Sequence, residues 1–140
     1  MEAFAAYGPA IIAISVLVLF GVTIGAMSAA HKFSQGVESG ALPKPDYSNF
    51  SYRFSRTYQN LVENIGFFGA ALFGAILMGA AVYWVNLLAV LYVVLRLIVA
   101  SVHMLGLGKA NLGLRTMIFT LAVICNAGLA LLAISHALAG

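Results

Sequence analysis

Four apolar runs of about 20 residues each fill most of this chain, and they limit its fold class more than any other feature. A helix rises about 1.5 Å per residue, so each run matches the roughly 30 Å of hydrocarbon in a bilayer. In that medium a segment must satisfy its own backbone N–H and C=O groups, and a helix does so. The pattern predicts an all-α membrane protein, with four transmembrane helices in up-down order as a single domain over residues 1–140. The helices are expected at about 9–30, 51–82, 85–105 and 115–137, with loops at about 31–50 and 106–114. Composition agrees: 63% of the 140 residues are apolar and 8% are charged, against roughly 25% charged in a soluble domain. The net charge of +3 lies in the loops and reads as a topology signal, with no nucleic-acid partner implied. Cys125 is the only cysteine, so no intrachain disulfide can form. The start, Met1-Glu2-Ala3-Phe4, lacks the positive n-region of a secretory signal, so the first run is expected to stay as a helix.

Punctuation residues set the boundaries. Pro9 suits the first turn of a helix, where its missing N–H costs nothing. Pro43 and Pro45 argue against helix in the long polar stretch from His31 to about Tyr52. Gly21, Gly25 and Ala29 form a small-residue ladder on the first helix. Gly66, Ala70 and Gly74, then Ala71, Ala75 and Gly79, form two more on the second; such rows let helices approach closely. Tyr83 and Trp84 are expected in a short turn at a membrane–water boundary. Lys32, Lys44, Arg53, Arg56, Lys109 and Arg115 all fall toward the two loops on one side. The positive-inside bias then predicts cytoplasmic loops and both termini outside.

The chemistry-bearing stretch opens the second helix. Arg56, Asn60 and Glu63 stand at i, i+4 and i+7, on one face, with Arg53 near the same stripe. A Glu well inside a membrane helix costs about 2.5–3.5 kcal/mol on insertion scales, so it requires a partner. Arg96 in the third helix lies at a similar depth, roughly 12–14 Å from the loop end. Pairing Glu63 with Arg96 is the cheapest way to keep both charged, either to fix helix register or to line a polar cleft with Asn60 and Arg56. His103 shares the Arg96 face; a lone His there is more often interfacial filler than a ligand. Arg115 opens the fourth helix, where a snorkelling anchor is the common fate. No metal-ligand spacing exists, so no metal site is expected.

Arg56-x-x-x-Asn60-x-x-Glu63 opening the second of four helices, Arg96 in the third and Arg115 opening the fourth resemble the MAPEG superfamily: membrane-associated proteins in eicosanoid and glutathione metabolism. The resemblance spans nearly the whole chain. It implies a homotrimer among membrane lipids, with glutathione bound at the subunit interface near the cytoplasmic leaflet. By that resemblance Arg56, Asn60, Glu63, Arg96 and His103 bind glutathione as cosubstrate. Arg56 would grip a carboxylate and Glu63 the ammonium, with Asn60 serving either end. Arg115 would be the catalytic residue that favours the thiolate, the nucleophilic form. A lipophilic electrophile would arrive from the bilayer, for a transferase- or peroxidase-like reaction. Relatives often carry rings on the third helix, where this chain has Val99 and His103, and a Tyr one turn after the last Arg, where it has Phe119. Asn64 follows Glu63, where several relatives have Tyr or an aliphatic residue. These departures point to a bacterial-type member, in a bacterial inner membrane, with weak, altered or absent transferase activity. The alternative is a non-catalytic scaffold or accessory subunit. A transporter is disfavoured, because no broken helix or inverted repeat is present.

Overall fold

A computed structural model describes residues 2–38, 40–108 and 113–139. A short helix α1 (Glu2–Ala5) precedes four long helices: α2 (Gly8–Ser34), α3 (Phe50–Leu77), α4 (Val82–Leu105) and α5 (Leu114–Ala139). All four long helices have the length and apolarity to cross a membrane, with 27, 28, 24 and 26 residues. At about 1.5 Å per residue they measure about 36–42 Å, so their ends reach past the hydrocarbon into the headgroup region. The chain is an all-α integral membrane protein.

Helices α3 and α4 form the central pair. Each packs on the other and on both α2 and α5. The core is built from small residues that admit close backbone approach, Ala75, Ala80, Ala89 and Ala122, interleaved with Leu17, Phe68, Leu72, Val85 and Leu129, all fully or nearly fully buried. Phe68 of α3 stacks on Tyr92 of α4 with ring centroids 4.0 Å apart. Gly74 lets Ala133 of α5 approach, and Gly25 accepts the ring of Tyr58 against bare backbone. Gly66 and Ala70 instead lie on an exposed face of α3 with Phe67, so only part of the small-residue rows is used within one protomer.

At the terminal end, polar side chains fasten α2 to the α3–α4 turn. Tyr7 donates its hydroxyl to the carbonyl of Ala80 at 2.5 Å. Asn86 accepts from the Ala10 N–H at 3.2 Å and donates to the Ala6 carbonyl at 2.9 Å. The Ala10 N–H, one of the donors left over at the start of α2, and the Ala80 and Ala6 carbonyls are thereby satisfied by side chains.

The turn lies earlier than the sequence suggested. Helix α3 stops at Leu77 rather than near Val82, and Tyr83 and Trp84 form the first turn of α4. Gly79 is the reason. It takes a left-handed conformation (φ 63°), and the Ala80 N–H bonds back to the Ala75 carbonyl at 2.9 Å. That is a glycine C-terminal cap, a role the helical spacing of Ala71, Ala75 and Gly79 concealed.

At the opposite end, Asn49 caps α3 by accepting from the Ser51 N–H at 2.8 Å. The α2–α3 connection then lies across the C-terminus of α4 and the start of α5, because Tyr47 touches both His103 and Arg115. Both longer connections therefore share one end of the bundle. Lys109 and Asn111, counted in the charge argument, lie outside the described residues.

Candidate functional site

Beneath the α2–α3 connection a cavity of about 490 Å³ opens between α3, α4 and α5. That is within the roughly 300–1,000 Å³ usual for small-molecule sites. Helix α3 contributes Arg56 and Asn60; α4 contributes Arg96, Val99 and His103; α5 contributes Arg115 and Phe119; the connection contributes Asp46 and Tyr47. Five of the six residues singled out from sequence thus reach one cavity, and Glu63 does not.

Arg96 is the most deeply placed of them, 2% exposed. Its Nη2 donates to the Asn60 carbonyl at 2.7 Å and to Asn60 Oδ1 at 2.8 Å. Its guanidinium lies over the Phe119 ring, 5.3 Å from the centroid. Its Nη1 is buried without a hydrogen-bond partner among the described residues. A buried charged donor without an acceptor is costly, and a bound anion would supply one.

The expected Glu63–Arg96 pair is replaced by the Asn60–Arg96 contact. Three residues turn a helix by about 300°, so Glu63 sits about 60° around the axis from Asn60. Asn60 faces α4, while Glu63 swings onto the exposed face of α3. Glu63 acts on Arg96 only through longer-range attraction. Arg53 also leaves the stripe. It donates to the Met104 carbonyl at 3.2 Å, the Tyr47 carbonyl at 2.9 Å and the Ser48 carbonyl at 2.7 Å. It lies against Gly106, the left-handed cap of α4, where a Cβ would come within 3.0 Å of the guanidinium.

Arg115 is a cavity wall with specific partners rather than a free snorkelling anchor. Its Nη1 donates to Tyr47 Oη at 2.8 Å and to His103 Nδ1 at 2.6 Å. Its guanidinium lies over the Tyr47 ring, 5.1 Å from the centroid. Because a guanidinium only donates, His103 Nδ1 is the acceptor, and in the neutral ring the proton is on Nε2. That nitrogen is buried and has no partner among the described residues; the residue is 9% exposed. Arg56 donates to Gln59 Oε1 at 2.6 Å.

Three guanidiniums therefore meet in one cavity. The carboxylate in its lining is Asp46, at the exposed rim. The Ser48 hydroxyl and backbone N–H, with the Asn49 N–H, hold the Asp46 carboxyl below its ordinary range. Such a cavity suits an anionic ligand, with charge-assisted bonds to its carboxylates and a cation beside any ionised thiol.

Tyr47 was missed by the sequence reading. It is one aromatic residue in a polar loop, and no periodicity marks it. The local signals were the Asp46-x-Ser48 turn and the Asn49 cap, which fix the backbone on either side of it.

Compared with known protein families, the chain matches the MAPEG family over residues 6–135. No curated protein matches it. With a match over nearly its full length, four membrane-spanning helices and this cavity, the chain belongs to the MAPEG family, a superfamily of membrane proteins in glutathione and eicosanoid metabolism.

Proposed function

We propose that this protein binds glutathione in the cavity and presents its thiolate to lipophilic electrophiles, as a glutathione transferase- or peroxidase-like enzyme. The observation that carries the proposal is the meeting of Arg56, Arg96 and Arg115 on one cavity, with Arg96 Nη1 buried and lacking an acceptor among the described residues. Glutathione brings two carboxylates and a thiol, three groups that become or are anionic. Arg56, about two turns into α3, grips one carboxylate. Arg96, held in place by Asn60, offers its open nitrogen deeper in. His103 offers its Nε2–H, and Arg115 stabilises the sulfur. The thiol proton leaves to water at the mouth. The sulfur lone pair then forms a bond to the electrophilic carbon of a substrate entering from the bilayer while that carbon's bond to its leaving group breaks, the leaving group departing with the electron pair. With a hydroperoxide the sulfur takes the terminal oxygen as the O–O bond breaks, the alkoxide takes a proton from water, and a second glutathione converts the sulfenic acid to disulfide and water.

Glu63 fits this proposal through a second copy of the chain. Its carboxylate lies on an exposed helix face with Gly66, Phe67 and Ala70. Facing lipid it would cost about 2.5–3.5 kcal/mol, whereas facing a neighbour it can receive the glutathione ammonium at a shared site. A homotrimer supplies that neighbour. Orientation with the cavity end in the cytoplasm, in a bacterial inner membrane, gives access to the soluble ligand. The accessory-subunit alternative draws on the same exposed small-residue face. It predicts that Glu63→Gln weakens assembly while no thiol binds at all.

Thiolate ultraviolet absorbance tests the enzyme proposal. Wild type mixed with glutathione near neutral pH should show it, and Arg115→Ala should not. Absence of the signal in wild type contradicts the proposal.

A further inference from the structure

We propose that Tyr47 is a catalytic residue: its phenol donates a hydrogen bond to the anionic sulfur that Arg115 stabilises. This rests on the glutathione reading above and adds a second donor at the sulfur, delivered by a loop instead of a transmembrane helix.

Three observations carry it. First, the phenol is held at the cavity wall. Arg53 grips the Tyr47 carbonyl at 2.9 Å and the next carbonyl at 2.7 Å, while its Nε is fixed to Met104 at the end of α4. The ring meanwhile lies against the Arg115 guanidinium and edge-on to His103, with centroids 5.3 Å apart in the latter case. A side chain held by its own backbone and by two neighbours loses little freedom when a ligand arrives.

Second, the hydroxyl proton has no short, uncontested acceptor in the cluster. Tyr47 Oη accepts from Arg115 at 2.8 Å, so its own O–H must point elsewhere. The nearest acceptor is His103 Nδ1 at 3.2 Å, a long O–H···N contact. That nitrogen has a single lone pair, and Arg115 already claims it at 2.6 Å. The phenol proton is left with a poor partner and a short rotation to a better one.

Third, the acceptance from Arg115 makes the phenol a stronger donor. A hydroxyl that receives a bond from a cation has its O–H polarised further. Arg115 and Tyr47 then act on one anionic atom together, the first by charge and the second by a directed hydrogen bond. The phenol keeps its proton throughout; the thiol proton goes to water, and Tyr47 only lowers the free energy of the anion left behind.

Tyr47→Phe keeps the ring on Arg115 and removes only the hydroxyl. The pH profile of bound thiolate absorbance, in detergent-purified protein, should move to higher pH. A lost bond to an anion corresponds to about a ten- to hundredfold drop in thiolate at a fixed pH below the midpoint. Conjugation rate should fall in parallel. S-methylglutathione, which has no thiol to ionise, should bind the variant as tightly as wild type. Superimposable pH profiles for wild type and Tyr47→Phe overturn the proposal and leave the glutathione reading standing. Equal weakening toward glutathione and S-methylglutathione also overturns it, because the hydroxyl would then serve the grip and not the sulfur. No thiolate signal in wild type overturns both.

Discussion

The contact between Asn60 and Arg96 makes the sharpest prediction about how the cavity is built. Asn60→Ala removes one of two acceptors from Arg96 Nη2, the side-chain oxygen at 2.8 Å, and leaves the backbone carbonyl at 2.7 Å. Neutral interhelical hydrogen bonds in membrane proteins contribute about 0.6 kcal/mol on average. Here the donor is a cation 2% exposed, and hydrogen bonds to charged groups contribute about 1.5–3 kcal/mol. A double-mutant cycle isolates that quantity from the general damage of each substitution. Wild type, Asn60→Ala, Arg96→Met and the double variant are unfolded from mild detergent with a denaturing detergent, followed by circular dichroism. The coupling energy should be about 1.5–3 kcal/mol. A second cycle pairs Arg96→Met with Glu63→Gln and should give under about 1 kcal/mol, as for a solvent- or lipid-exposed pair out of contact. Refutation would be the reverse order: a larger coupling for Glu63 than for Asn60, or an Asn60 coupling near zero.

Tyr7→Phe should destabilise the fold by about 1–3 kcal/mol in the same assay, since it leaves the buried Ala80 carbonyl without its donor. Gly106→Ala should cost about 1–2 kcal/mol from the left-handed backbone alone and should also push Arg53 off its seat; quenching of Tyr47-region fluorescence by a soluble quencher should rise. Arg53→Ala frees the loop, and its bound-thiolate profile should shift in the same direction as that of Tyr47→Phe. Asp46 titrates below its ordinary value because its charged form is the one hydrogen-bonded. Its contribution to loop order is therefore complete above the usual carboxylate range and is lost as pH falls through the lowered value. Loop chemical shifts around Ser48 should stay constant from neutral pH down to about 4 and change only below that.

The membrane spans were legible because the bilayer leaves a chain few choices: long apolar runs must become helices. Arg56, Asn60 and Arg96 were legible for a related reason, whereas His103 read as interfacial filler and entered only through the family resemblance. A polar residue inside such a run is expensive, so its presence signals a partner. What the sequence hid were facts of rotation and of loop geometry. Glu63 looked like the mate of Arg96 by depth, but depth along a helix says nothing of the 60° or so that turns it away. Gly79 matched a packing row by spacing, and only its positive φ shows it to be a cap. Tyr47 and Arg53 act across the α2–α3 connection, where no periodicity constrains neighbours. Arg115 was visible as a charge at a helix start. Its engagement with Tyr47 and His103 depends on where that connection lies.

The most direct test of the account is a calorimetric titration of glutathione into the purified protein in detergent, beside Arg56→Ala and Arg96→Met. Wild type should give saturable heat, weakened by each substitution. An absence of heat at millimolar glutathione, or binding that ignores both arginines, would contradict it.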